Sequence, residues 1–144
     1  MDASGAGRRG YEAFEHTADL GFVVRGRDMG DLFELAALAL CRTMFEGADD
    51  ESEVRTVLQE AEEPEGLLVA WLEEVIYAFE VDGYVTARAV VDEIGGHTVR
   101  GRLLGGPAPS GRNAVAHTVK AVTYHDLDIR RRGDLLEARV VLDV

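Results

Sequence analysis

PEGLLVAWLEEVIYAF, residues 64–79, is the stretch that points most directly to the fold. Its apolar residues recur at the three- and four-residue spacing of a helix, and Pro64 suits a first helical turn. The acidic residues Glu73, Glu74 and Glu80 are expected to face water. The sequence therefore predicts a helix that ends before Asp82-Gly83 and buries a wide apolar stripe formed by Leu67, Leu68, Trp71, Leu72, Val75, Ile76 and Phe79.

A second helix is predicted upstream, from about residue 29 to residue 46. Asp28 is placed to cap its first turn, and Gly47 stands where a helix would stop. Between these two signals the apolar residues again follow helical spacing, namely Met29, Leu32, Phe33, Ala36, Leu40 and Met44.

The rest of the chain alternates as strands do, with hairpin turns predicted at Gly95-Gly96 and at residues 132–134. A loop rich in glycine and proline, residues 105–111, reads as a surface connection. We expect an α+β fold, a single domain with two helices packed on a largely antiparallel β-sheet. The domain should span residues 11–144 after a flexible segment, residues 1–10, and its strands are predicted at 20–25, 54–58, 84–91, 97–104, 114–124 and 135–143.

Charge is distributed unevenly along the 144 residues. The formal net charge is −12, and residues 46–82 hold 13 acidic residues and one basic residue, a balance of 1 − 13 = −12. So acidic a segment repels nucleic acid and favours a basic protein partner, although solubility alone is an equally simple explanation. With no bilayer-length apolar run and no signal peptide, the chain is expected to be cytoplasmic.

The usual nucleotide-binding and hydrolase motifs are missing from the sequence, so no catalytic residue is predicted. The four histidines lack the spacing of a helical metal pair, which disfavours zinc. The lone cysteine, Cys41, lies among helix-spaced apolar residues and is expected to be inert core packing.

Two carboxylates occupy unusual positions, Asp19 before the first predicted strand and Asp143 at the end of the last one. Aspartate is uncommon in strands, and the α-carboxylate of Val144 is only one residue from Asp143. If the first and last strands are neighbours, these groups form an all-oxygen set suited to a hard cation such as calcium. The alternative is that Asp19 caps a turn and Asp143 lies at a frayed, solvated end.

Lys120 is the other outlier, because it is the single lysine among 15 basic residues. It interrupts a strand pattern, Val119 to Tyr124, where a compact ammonium could tune a carboxylate cluster or contact phosphate. One stray lysine is also unsurprising by chance.

Taken together, three motifs resemble those of the archease family. They are YEAFEHTADLG at residues 11–21, VKAVTYH at residues 119–125, and the terminal VVLDV at residues 140–144. The two predicted helices, through residues 31–37 and 67–72, are also similar to those of that family. The resemblance extends over the whole chain, and the combination of motifs is specific where each alone is weak.

The resemblance implies a small α+β accessory protein, not itself an enzyme, that activates the RNA ligase joining 3′-phosphate to 5′-hydroxyl ends in tRNA splicing. The family promotes guanylylation and multiple turnover of that ligase, so RNA is met only through the ligase. Its calcium site corresponds here to Asp19, Asp143 and Val144, and its strand lysine to Lys120. Within the opening motif, Asp19 is then a ligand, while Thr17 and His16 set the turn and His16 is counted with Lys120 among the functional residues.

Two other classes of function remain open from the sequence. One is a small metal-dependent phosphoester hydrolase built on Asp19, Asp143 and Lys120, which the absence of a nucleophile or a second metal cluster disfavours. The other is a general protein-binding module similar to a chaperone. No membrane association is expected.

Overall fold

A computed structural model describes residues 7–15, 20–108 and 115–144 of the chain. Its two helices and eight strands follow in the order β1 (Gly10–Glu15), β2 (Leu20–Gly26), α1 (Met29–Met44), β3 (Glu53–Glu60), α2 (Pro64–Asp82), β4 (Tyr84–Ile94), β5 (Thr98–Pro107), β6 (Ala121–Val122), β7 (Arg130–Arg132) and β8 (Leu135–Asp143).

The strands form two antiparallel sheets. The first sheet has the order β1-β2-β8-β6, with the short β7 also paired to β8, and the second has the order β3-β5-β4. In the first sheet the chain's last strand is therefore central, with β2 along one edge and β6 and β7 along the other. The α+β class, the two helices and the antiparallel pairing are confirmed; the division into two sheets is a feature that the strand pattern did not specify.

Helix α1 begins where the sequence predicts. Asp28 has extended backbone angles, and its Oδ1 accepts a hydrogen bond from the backbone N–H of Asp31 at 2.8 Å. The Asp31 carboxylate in turn accepts from the N–H of Arg27 and from the guanidinium of Arg9. These bonds satisfy donors that a helix start leaves free. The helix ends at Met44, two residues before the predicted limit.

Helix α2 begins at Pro64 as predicted and runs through Asp82, slightly beyond the predicted end, with Gly83 as the C-terminal cap. Gly83 has φ of 64°, a left-handed conformation that glycine adopts without steric cost. Its apolar stripe packs on α1, where the indole N–H of Trp71 donates to the carbonyl oxygen of Phe33 at 3.0 Å. Both side chains are fully buried, so this bond fixes the helix pair within the core.

The core fills the space between the helices and the two sheets. Cys41 belongs to it, with 2% of its surface exposed, and burial raises the pKa of its thiol to about 12. The prediction that Cys41 is packed in the core is confirmed, and its lack of reactivity stays a prediction.

Gly21 allows three strands to pack closely in the first sheet. A Cβ atom at this position would lie 2.0 Å from the carbonyl oxygen of Val140 and 2.8 Å from the ring of Phe14. With no side chain there, Phe14 lies over β2, and the Arg139 guanidinium sits 4.0 Å from its ring centroid. The glycine of the opening motif is thus required by packing.

Several sequence expectations are wrong in detail. The strand predicted at 114–124 is reduced to the two residues of β6, because only Ala121 and Val122 pair with β8. The predicted surface loop begins later, since Gly105 and Gly106 are buried and pair with Thr86 and Val85 in β5 and β4. Strands β1 and β7 were not predicted at all. The two hairpin turns are confirmed by the pairing of β4 with β5 and of β7 with β8.

Candidate metal-binding site at the end of β8

The end of β8 brings several predicted site residues to one place. Leu20, the first residue of β2, pairs with Leu142, and Ala121 of β6 pairs with Asp143. The backbone N–H of Lys120 donates to the carbonyl oxygen of Asp143 at 2.7 Å. Lys120, Asp143 and Val144 therefore lie together at one end of the first sheet.

The two C-terminal residues are accessible to solvent there. The Asp143 side chain is exposed, and 58% of the Val144 surface is exposed, whereas Leu142 before them is buried. Within residues 7–15, 20–108 and 115–144, no arginine, lysine or histidine forms an ion pair with the Asp143 carboxylate. That carboxylate is consequently available to an external cation.

Asp19 and His16, predicted as ligand and functional residue, lie outside the described residues. Their described neighbours are Glu15, the last residue of β1, and Leu20. Asp19 directly precedes Leu20 in the chain, and Asp143 directly follows the Leu142 that pairs with Leu20. The first and last predicted strands, which are β2 and β8 in the structure, are neighbours as expected. A site shared by Asp19 and Asp143 depends on this pairing.

Lys120 contributes its backbone and its side chain to different surroundings. Its backbone bonds to Asp143, but its exposed side chain lines a groove beside α2 together with Glu73 and Glu80. In the described part of the chain the ammonium forms no ion pair. An ammonium that forms no ion pair with these residues remains able to engage an anionic group of a partner.

Two carboxylates of α2 position the segment that carries Lys120, and sequence reasoning missed both. Glu73 Oε2 accepts from the N–H of Val122 at 3.1 Å, and Glu65 Oε2 accepts from the N–H of Ile129 at 3.0 Å. The expectation that Glu73 and Glu74 face water is therefore wrong; both are half-buried, and Glu74 accepts from the side chain of Gln59. No periodic signal could reveal this, since the partners are backbone groups distant in sequence.

His117 is a further residue near the opening motif that was not predicted to have a role. Its Nδ1 lies 3.1 Å from the carbonyl oxygen of Thr43, and its Nε2 lies 3.4 Å from a carboxylate oxygen of Glu15. These contacts attach the segment before β6 to the ends of α1 and β1.

The donor chemistry fits a hard cation, although the described residues do not complete a site. Among them no group of three or more histidine, cysteine, aspartate or glutamate side chains is arranged to hold a metal. Asp143 supplies one carboxylate, and calcium requires six to eight oxygen ligands. Asp19 and the Val144 α-carboxylate, the other ligands that the sequence resemblance implies, stay a prediction.

No helix in the described ranges is long and apolar enough to span a membrane.

The fold and the end of β8 define a class of small α+β proteins. The described part of the chain has two helices, and its C-terminal strand, β8, lies at the centre of the first sheet. The chain belongs to the archease protein family (MTH1598/TM1083), whose model matches residues 11–144. Among the solved structures, the solution structure of protein 1598 of Methanobacterium thermoautotrophicum superposes with a TM-score of 0.77 at 31% identity, covering 94% of this chain and 99% of that one.

Two further relatives support the assignment. The protein archease of Methanosarcina acetivorans is 34% identical over 139 residues, covering 93% of this chain and 95% of its own length. A crystal structure from Thermotoga maritima, described as an archease and possible chaperone, has a TM-score of 0.68 at 25% identity and covers 92% of this chain and 96% of that one. The family resemblance found in the sequence is thus confirmed.

Proposed function

We propose that this archease-family protein is a non-enzymatic activator of the RNA ligase that joins 3′-phosphate to 5′-hydroxyl ends, promoting its guanylylation and multiple turnover. The observation that carries the proposal is the strand pairing that places Lys120, Asp143 and Val144 at one end of the first sheet, beside the start of β2. The exposed Asp143 carboxylate at this sheet end suits contact with a partner. So does the Lys120 ammonium in the adjoining groove beside α2, which forms no ion pair with the described residues.

In this proposal calcium is held by Asp19, Asp143 and the Val144 α-carboxylate. Bound calcium supplies positive charge that offsets the clustered carboxylates. The chain's own residues have structural tasks: Lys120 donates its backbone N–H to Asp143 and keeps the end of β8 in register, while its side chain presents a point charge. His16, with Thr17, remains the predicted turn residue beside Asp19.

The function is tested with purified ligase, GTP and a broken RNA carrying 3′-phosphate and 5′-hydroxyl ends. We expect multiple ligase turnovers only when this protein is added, and no RNA processing by this protein alone. RNA cleavage by the protein alone would favour the phosphoester hydrolase. Protection of unrelated unfolded proteins, without ligase stimulation, would favour the chaperone-like class that the Thermotoga maritima relative suggests.

Asp143→Asn tests the site, because it keeps the shape of the side chain and removes its charge. We expect ligase stimulation and calcium affinity to fall at least about tenfold, since calcium affinity follows ligand charge. Asp134→Asn is the matched control, because Asp134 is an exposed aspartate in the β7–β8 turn. Normal stimulation by the Asp143 variant would exclude its carboxylate from the mechanism.

Adding residues after Val144 tests the α-carboxylate separately. A C-terminal extension converts that carboxylate to a neutral amide and should weaken calcium binding measured by calorimetry, whereas an N-terminal extension should not. Equal affinities in the two proteins would leave Asp19 and Asp143 as the carboxylate ligands.

A further inference from the structure

Helix α2 spans the gap between the edges of the two sheets and forms the floor of a groove. Glu74 contacts Gln59 on β3, while Glu73 bonds to the backbone of Val122 on β6. The groove has a volume of about 370 Å³, and Ala70, Tyr77, Glu80 and Lys120 also line it. We refer to it as the α2 groove. Its sides are the edge of β3 and the segment before β6.

The edge of β3 beside this groove is regular and unprotected. Eight residues of β3 pair with β5 without any register shift. In the described residues, no backbone hydrogen bond from another segment reaches its second edge. An exposed edge of this length is a template for an added strand. Its eight residues span about 26 Å, close to the roughly 28 Å of the 19-residue helix α2.

Two other edge strands in the described structure are protected. β4 at the opposite edge of the second sheet has two register shifts, and the Glu34 carboxylate accepts from the N–H of Val91 at 2.8 Å. β6 is two residues long, and Glu73 accepts from its Val122. Carboxylates and bulges thus close these edges, whereas β3 keeps its own available.

The exposed residues around β3 show what the groove would accept. Tyr77 and Val81, one turn apart on α2, are each 57% exposed, which gives a flat apolar strip along the helix. Three carboxylates and one ammonium line the groove, and the surrounding residues 46–82 carry a net charge of −12. The edge favours an extended backbone, and the charge favours basic side chains upon it.

Charge argues against two other occupants. A second copy pairing its β3 antiparallel to this one, centred on the strand, would place Glu53 opposite Glu60 twice and bring two acidic segments together. RNA would be repelled by the same carboxylates.

We propose that the α2 groove binds an extended, basic peptide segment of a partner protein by adding it as a strand to β3. The backbone of the segment pairs with the β3 edge. Its arginine or lysine side chains, at every second position, face α2, where they reach Glu80 and the neighbouring carboxylates and lay their aliphatic parts on Tyr77. The intervening side chains point away from the helix. This surface adjoins the site at Asp143 through Lys120, but it uses other carboxylates, and it does not depend on calcium or on the identity of the ligase.

The test uses a synthetic ten-residue peptide of alternating arginine and threonine, blocked at both ends, and the full-length protein. We expect saturable binding by calorimetry, with amide chemical-shift changes concentrated in residues 53–60 and 70–81. A peptide of alternating glutamate and threonine should not bind. Absence of binding by the basic peptide at millimolar concentration, or shift changes located elsewhere, would overturn the proposal.

Backbone pairing is tested with two versions of the basic peptide, N-methylated on its odd or on its even residues. An added strand uses one edge, so one version should lose binding and the other should keep it. If both bind as the parent peptide does, or if both fail, the segment is not an added strand.

The contribution of charge is tested by Glu80→Arg, which we expect to raise the dissociation constant about tenfold. Glu46→Arg is the matched control: it makes the same change at an exposed acidic residue outside the groove, and should alter affinity less than about twofold. Equal effects of the two substitutions would show that the peptide binds by non-specific electrostatic attraction, and would refute the α2 groove as its binding site. Calcium binding should be unchanged in both variants. A failure of the peptide-binding proposal can therefore be distinguished from a failure of the proposed function.

Discussion

Removal of the Glu73 side chain tests how α2 holds the segment that carries Lys120. In Glu73→Ala the buried Val122 N–H, now bonded to Glu73 at 3.1 Å, loses its acceptor. A buried donor left without a partner costs about 1–3 kcal/mol, and a charged acceptor places this case near the middle of that range. We therefore expect the free energy of unfolding to fall by about 2 kcal/mol. Glu73→Gln keeps an accepting oxygen and should lose less than about 1 kcal/mol.

The assay is urea denaturation followed by circular dichroism, with hydrogen exchange of the Val122 amide as a local measure. Glu80→Ala is the control on the same helix, because Glu80 is exposed and forms no hydrogen bond or ion pair within the described structure. It should change stability by less than about 0.5 kcal/mol. If Glu73→Ala matches this control in stability and in amide exchange, Glu73 does not protect the edge of β6, and the positioning argument fails.

Three further predictions concern the scaffold. The hydrogen bonds from Arg9 hold the pKa of the Asp31 carboxyl below its usual value. The stability that Asp31 adds is therefore present above about pH 4 and is lost as the pH falls through the lowered pKa. In acid titrations, the difference in free energy of unfolding between wild type and Asp31→Asn should shrink as the pH falls below about 4. Cys41, buried with a thiol pKa of about 12, should react with a maleimide at pH 8 only after the protein is unfolded in urea. Gly21→Ala would place a Cβ atom 2.0 Å from the Val140 oxygen and should lower the free energy of unfolding by about 3 kcal/mol in denaturant titrations. An unchanged denaturation midpoint would show that β2 and β8 accommodate the methyl group without loss of stability, and that close packing does not require the glycine.

Local signals in the sequence predicted the elements that local physics controls. The bounds of α2 follow from Pro64, the apolar stripe and Gly83, and the cap of α1 follows from Asp28. Strand β8 was also predicted with its exact limits, because the apolar and β-branched residues of Leu135–Asp143 follow directly after the turn signal at residues 132–134. In each case the decisive interactions lie within a few residues of one another.

Elements that depend on distant partners were not predictable in this way. β6 and β7 are short and exist because β8 supplies their hydrogen bonds. Gly105 and Gly106 read as loop residues, yet backbone pairing with β4 places them in a strand. Such pairing outweighs the intrinsic preference of a glycine for turns.

For the candidate site, the sequence identified the unusual residues Asp19, Asp143 and Lys120 and, through the archease resemblance, a role for them. Whether they could meet depended on tertiary structure, because the pairing of β2 with β8 is between segments about 120 residues apart. The protection of one strand edge by Glu73 and the open edge of β3 likewise arise only in the folded chain. Helices form from near neighbours in sequence, but sheet edges and the sites upon them are set by which distant strands pair.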